Sequence, residues 1–279
     1  MATTAPDSKT IVLITGANRG ISFEIAKNLS TSPEKPYHII LSGRHLSSVE
    51  SAITTLRALP NLHSSTTLEP LPLDLTSDTS ISSAASHMSS QHGRLDILVH
   101  NAAISSSWLP THVTDPHAPS RERVNWRSIF DTDLIGPALL TGELVPLLSA
   151  SPNRERNIVF VSSGLGSIPY QVNSRNLDLS NVTRHYTEYR ASKAALNMYA
   201  KHLAWKLGHA DEEGGEKGGE KGEKEMESHA TWLVLGIQTK TELNNYRGKQ
   251  EPWEAAAETV MRVVEEEEGE TGTCRDIFH

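Results

Sequence analysis

The sequence is poor in several features that would tie it to a broad class of protein. One cysteine, Cys274, among 279 residues excludes an internal disulfide framework and any cysteine-cluster metal site. Lysine and arginine together number 26 against 34 aspartates and glutamates. The basic excess of a general nucleic-acid binder is therefore missing. No apolar run approaches the roughly 20 residues of a membrane-spanning helix. The opening residues Met-Ala-Thr-Thr-Ala-Pro-Asp lack the basic and apolar regions of a secretory signal. Aromatic residues make up only 5%. These absences lead to the expectation of a cytoplasmic protein that engages neither nucleic acid nor membrane.

What remains is 37% hydrophobic, modest for a globular chain but enough for a full core at this length. The formal charge of −8 is unevenly placed. Residues 211–227 carry eight acids and three lysines, net −5, and residues 265–270 carry another −5. Setting both aside leaves +2 on the rest. The stretch 209–229 is a Gly/Glu/Lys low-complexity segment that cannot bury enough apolar surface to offset its ordering entropy. It reads as an acidic loop inserted within a single domain spanning 1–279.

Short apolar runs alternate with amphipathic helical stripes. Strands are expected over 10–15, 37–42, 68–74, 95–101, 157–162 and 231–236. Continuous runs such as Ile11-Val-Leu-Ile and Ile158-Val-Phe-Val read as strands covered on both faces. Ile21, Ile25 and Leu29 recur every four residues. Leu46, Val49, Ile53 and Leu56 share one helical face, and so do Ile81, Ala84, Ala85 and Met88. This alternation predicts an α/β fold: one Rossmann-like, doubly wound parallel sheet with helices on both faces.

The first strand runs into Thr15-Gly16-Ala17-Asn18-Arg19-Gly20-Ile21-Ser22, where the first helix starts. A strand, a glycine turn and a helix N-terminus together form an anion site, because the glycines let the backbone approach a pyrophosphate held by free N–H groups. The second strand ends Leu41-Ser42-Gly43-Arg44, without the acid that would bond a ribose 2′-hydroxyl. Arg44 suits a 2′-phosphate instead, with Arg19 as a second positive charge. The cofactor expected is NADP(H).

Further along, Tyr189-Arg190-Ala191-Ser192-Lys193 heads a long helical pattern, and its i, i+4 spacing puts Tyr189 and Lys193 on one face. An adjacent ammonium favours phenolate, so the expectation is a Tyr189 phenol below its ordinary pKa and able to exchange a proton with a carbonyl oxygen. Ser163 follows the fifth strand at the end where parallel sheets bind ligands, placed to hydrogen-bond the same oxygen.

The order of these segments over about residues 8–245 resembles the short-chain dehydrogenase/reductase family. Its TGxxxGxG turn is matched except that Ser22 replaces the third glycine, implying slightly wider packing or a serine bonded to a phosphate. The resemblance implies Ser163 as substrate-oxygen donor, Tyr189 as acid/base, and Lys193 as pKa modulator and ribose anchor. It also implies adenine-side contacts from Asp74 and Leu75, and a loop held by Asn101 and Ala102 in the altered segment His100-Asn101-Ala102-Ala103. With Gly16, Asn18, Arg19, Gly20, Ile21 and Arg44 these complete the expected cofactor contacts on the phosphate side. The family commonly associates as dimers or tetramers through the helices near 121–150 and 189–208.

Three departures stand out. Asp133 occupies the place of the family's catalytic Asn, where an anion would favour charged Lys193 and weaken the acidification of Tyr189. After the sixth strand the Pro-Gly-x-Val-x-Thr segment becomes Leu235-Gly236-Ile237-Gln238-Thr239, with Ile237 and Thr239 as the nearest matches. The step from Ser163 to Tyr189 is about twice the usual length, so a piece around 174–187 should flank the substrate pocket. The expected substrate is a small carbonyl compound or alcohol. The rival reading is an NADP-binding regulatory or non-redox protein derived from a reductase. Thirteen histidines show neither His-Glu-x-x-His nor His-x-His, so they are expected to be scattered and no metal is expected.

Overall fold

The computed structural model describes residues 9–105, 121–152, 156–168, 186–208, 230–236 and 254. Six strands form one sheet: β1 (Thr10–Ile14), β2 (Tyr37–Gly43), β3 (Thr67–Pro72), β4 (Ile97–His100), β5 (Asn157–Ser163) and β6 (Ala230–Gly236). Their order is β3-β2-β1-β4-β5-β6, and every neighbouring pair is parallel. The helices are α1 (Gly20–Ser30), α2 (Leu46–Arg57), α3 (Asp78–Gln91), α4 (Arg121–Phe130), α5 (Gly136–Ser149) and α6 (Thr187–Gly208). This is the Rossmann-like doubly wound sheet. The strand order reverses between β1 and β4, which opens a crevice at their carboxyl ends.

Alternate residues of β1 go to opposite layers, as strand geometry requires. Val12 and Ile14 pack in a cluster with Ile25, Leu29, Val49, Ile53 and Leu56 from α1 and α2. Ile11 and Leu13 face a second cluster with Ile81, Met88, Leu144 and Leu196 from α3, α5 and α6. Full burial of each such side chain stabilises the fold by about 1.5–3 kcal/mol. The four-residue stripe Ile81, Ala84, Ala85 and Met88 is wholly buried. Leu46, by contrast, sits in the first turn of α2 and is 41% exposed, so that stripe begins at Val49.

β3 ends at Pro72 rather than at Asp74. Pro70 and Pro72 cannot donate to a ladder, and β3 pairs only with β2 among the described strands. Asp74 instead closes a turn, its Oδ1 accepting from the Thr76 amide and hydroxyl at 2.9 and 2.8 Å. Residues 131–135 form a π-helical turn between α4 and α5. Pro137 explains it: without an N–H it cannot donate to the Asp133 carbonyl, so the helix widens and Gly136 N–H reaches Asp131 O. The acidic segment 209–229, most of 174–187, the positions Ile237 and Thr239, and the acidic run 265–270 lie outside the described residues.

Candidate active site

β1 delivers the chain into the glycine turn at the crevice. Gly16 has φ +67°, and a Cβ there would lie 3.1 Å from both Cα and Cβ of Ala102. Only a glycine lets the first turn and the loop after β4 close on each other. Gly20 also takes a left-handed φ, +64°. α1 then opens with no side-chain cap and no acid in its first turn, leaving backbone N–H groups and the positive helix end for an anion. Thr15 braces the other wall: its Oγ1 accepts from the amides of Asn101 and Ala102 at 3.0 and 3.2 Å.

Of the two roles expected of Ser22, bonding a phosphate is the one it does not take. It is fully buried, and its Oγ donates to Thr15 O at 3.0 Å. The hydroxyl therefore ties α1 to the end of β1 and does not line the crevice where a phosphate would sit.

The crevice is a cleft of about 380 Å³. Every described residue among the expected cofactor contacts lines it: Gly16, Asn18, Arg19, Gly20, Ile21, Arg44, Asp74, Leu75, Asn101, Ala102, Tyr189 and Lys193. Arg19 and Arg44 are exposed at its rim. Residues 41–44 bring no acid to that rim. The wall also includes Thr15, Ser42, Thr132 and Val161, which sequence reasoning left unassigned. Their signal was their place beside the glycine turn or at a strand end.

At the opposite end of the cleft, α6 presents Tyr189 and Lys193 beside the end of β5. Gly166 permits this packing, since a Cβ there would lie 2.7 Å from the Lys193 backbone. Lys193 is 2% exposed, and its Nζ donates to Val161 O at 3.2 Å and lies 5.6 Å from the Tyr189 ring centre. Burial lowers its pKa, with Asp133 opposing. Ser163 hydrogen-bonds the Tyr189 side chain, while its Oγ accepts from Leu165 N at 3.2 Å.

Asp133 is buried under this group. Oδ1 accepts from the Ile104 amide at 2.9 Å, and Oδ2 lies 3.0 Å from the Ser192 hydroxyl. Burial pushes its carboxyl up to about 6, against the pull of Lys193 and both hydrogen bonds. His100 is buried between Phe160, with ring centres 4.9 Å apart, and Thr141 at 2.8 Å. Burial, with Lys193 nearby, lowers its pKa to about 3, so the imidazole is neutral.

The expected acidification of Tyr189 by Lys193 is not what the protein's own groups produce. Burial pushes the phenol above its ordinary value, the Asp133 carboxylate adds to that, and only the Ser163 hydrogen bond opposes it. The Lys193 ammonium points to Val161 O, and Asp133 faces the same interior. The histidines are also not all scattered: His38, His87 and His92 gather around Glu69. No local motif signals this, because the four residues come from β2, β3, α3 and the residue just after α3.

The sequence profile of short chain dehydrogenases matches residues 10–211. The short-chain dehydrogenase anuI of Penicillium roqueforti is 37% identical over 191 residues, covering 68% of this chain and 70% of its own. The short-chain dehydrogenase/reductase eupG of a Phoma species is 37% identical over 205 residues, covering 70% and 71%. Among solved structures, the NADPH-bound carbonyl reductase from chicken fatty liver superposes with a TM-score of 0.69 at 21% identity, over 96% of each chain. At that identity the likeness is one of fold. Among the described residues no helix is long and apolar enough to cross a membrane.

Proposed function

The chain belongs to the short-chain dehydrogenase/reductase family of oxidoreductases, and on that premise we propose that it is an NADP(H)-dependent reductase of a small carbonyl compound, or the reverse dehydrogenase. The observation that carries this reading is one cleft with two ends. The rim holds Arg19 and Arg44 beside an uncapped helix N-terminus, and the floor holds Tyr189 and Lys193, with Ser163 hydrogen-bonded to the Tyr189 side chain. The glycine cradle fits a dinucleotide, since a Cβ at Gly16 would crowd Ala102, and the two arginines fit its 2′-phosphate.

When bound, the nicotinamide supplies or accepts a hydride. Gly16, Gly20 and the α1 N-terminus would hold the pyrophosphate, Asp74 and Leu75 the adenine side, and Asn101 and Ala102 the adjoining ribose. Ile237 and Thr239, outside the described residues, are proposed to close over the amide. Ser163 would bond the substrate oxygen, and Tyr189 would pass its hydroxyl proton to that oxygen in reduction and recover it in oxidation. Lys193, rotated from Val161 O, would bond a ribose hydroxyl and lower the phenol's pKa. Asp133 enters as the positioning residue that holds Ile104 and Ser192 around these groups. The exposed Trp126, Leu139, Met198 and Trp205 on α4, α5 and α6 support a homodimer or homotetramer.

The raised Tyr189 phenol and the buried Asp133 favour a second reading, in which the nucleotide binds without redox turnover. Following NADPH absorbance against aldehydes, ketones and quinones decides between them. Oxidation of NADPH by at least one class is expected. Tight NADPH binding with no turnover on any of them would favour the second reading.

A further inference from the structure

Three histidines and one glutamate converge at the far side of the sheet from the cleft. His38 is the second residue of β2, Glu69 the third of β3, His87 sits in the last turns of α3, and His92 follows α3 directly. Ser42 and Gly43 at the other end of β2 line the cleft, about 15 Å from His38 along the strand. The cluster is thus distinct from the site described above.

Its geometry is that of a ligand set. His38 Nε2 lies 2.9 Å from Glu69 Oε2, and His92 Nε2 lies 3.3 Å from the same oxygen. In a tetrahedral zinc site, bonds of about 2.0–2.1 Å place neighbouring ligand atoms about 3.3 Å apart. The His92 contact lacks hydrogen-bond alignment, so its buried Nε2 has no hydrogen-bond partner. A lone pair there would be stranded without a cation. The His38 and His92 rings lie 4.9 Å apart, tilted by 47°, and one ligand atom from each of His38, His92 and Glu69 falls within 4.8 Å of the others.

The surroundings orient these groups. His38 Nδ1 lies 2.6 Å from Thr67 Oγ1. If Nδ1 donates there, Nε2 keeps its lone pair, which is the outer-shell arrangement of metal-binding histidines. His87 Nε2 lies 2.7 Å from Glu69 Oε1 and fixes the carboxylate from its other side. The side chains of His38, Glu69 and His92 are 20, 24 and 13% exposed, enough for an ion to enter.

We propose that His38, His92 and Glu69 bind a zinc ion, with His87 and Thr67 as orienting groups and a water completing the coordination. Imidazole and carboxylate ligands suit this metal. The ion ties β2, β3 and the end of α3 together, so its role is to clamp the sheet edge rather than to take part in turnover.

The test uses the full chain stripped with a chelator, titrated with Zn²⁺ by calorimetry and with Co²⁺ by visible absorbance. One equivalent of Zn²⁺ is expected to bind, Co²⁺ to show tetrahedral ligand-field bands, and saturating Zn²⁺ to raise Tm. The His38→Gln/His92→Gln double variant should bind at least about 10-fold more weakly and lose the Tm rise. The isosteric Glu69→Gln carries the same reading and stands in if the double variant does not fold. Failure of the wild type to bind Zn²⁺ overturns the proposal. So does equal affinity in the variants, which would put the ion on other histidines.

Discussion

Ser192 and Asp133 meet in the interior of the site, the serine hydroxyl 3.0 Å from Asp133 Oδ2 and 2.8 Å from the Tyr189 carbonyl. Through this contact the π turn before α5 is joined to the start of α6, whose second turn carries Ser192. Asp133 also accepts from the Ile104 amide, so one carboxyl fixes the loop after β4, the helix carrying Tyr189, and the field around Lys193. An asparagine would preserve the acceptor toward Ile104 and offer a donor to Ser192. What it would remove is the charge.

The charge has a pH-dependent cost. The folded-state pKa of Asp133 is about 6, above its ordinary 3.8, so the folded protein holds a proton that the unfolded chain releases between those values. Stability from this group is full below about pH 4 and is lost as pH rises through 6. Asp133→Asn is therefore predicted to raise stability at pH 8 by about 1–3 kcal/mol and to change it little at pH 4. Urea unfolding at the two pH values checks this. An equal gain at both would show that ionisation is not the cause.

The same substitution removes one of the two influences that hold the Tyr189 phenol high. On the proposed reaction, Asp133→Asn should leave kcat unchanged or raise it, and move the alkaline limb of its pH profile downward. A large loss of kcat would give Asp133 a catalytic role of its own.

Gly136 allows the π turn to approach the loop after β3. A Cβ there would lie 2.2 Å from Leu75 O and 2.6 Å from Leu75 Cβ, contacts that backbone cannot relieve cheaply. Gly136→Ala is predicted to destabilise the protein by about 2–4 kcal/mol, read as a lower urea midpoint. Gly142→Ala is the control, since a Cβ there meets nothing within 4 Å. Equal effects would contradict the packing argument.

Arg44 is proposed to discriminate between the two dinucleotides. Arg44→Ala should weaken NADPH binding about 10–100-fold and leave NADH binding nearly unchanged, as measured by fluorescence titration. A parallel loss for both cofactors would move the 2′-phosphate contact elsewhere.

The sheet was legible because fully buried strands such as Ile11-Val-Leu-Ile cannot be mistaken for surface segments. The cleft was legible because its residues cluster in local motifs, the glycine turn and the Tyr189–Lys193 helical turn. The π turn was less visible: Pro137 predicts a broken hydrogen bond, but not that Gly136 would fold it against Leu75. The raised phenol was missed because spacing shows that Lys193 is near Tyr189, not that its ammonium is directed to Val161 O. Sequence alone left the role of Ser22 open, because a hydroxyl in a phosphate turn is equally suited to a phosphate and to the carbonyl behind it. The His38, Glu69, His87 and His92 cluster was invisible because strand register, with His38 opposite Thr67, brings together residues far apart in sequence.

The central claim is that Tyr189 exchanges a proton with the substrate oxygen while the nucleotide site is independently intact. Its most direct test compares wild type and Tyr189→Phe on a carbonyl substrate that oxidises NADPH, with the Kd for NADPH measured in parallel. The account predicts a loss of kcat of about 10²–10⁴-fold with the Kd for NADPH changed less than about threefold. Undiminished turnover in Tyr189→Phe would contradict it.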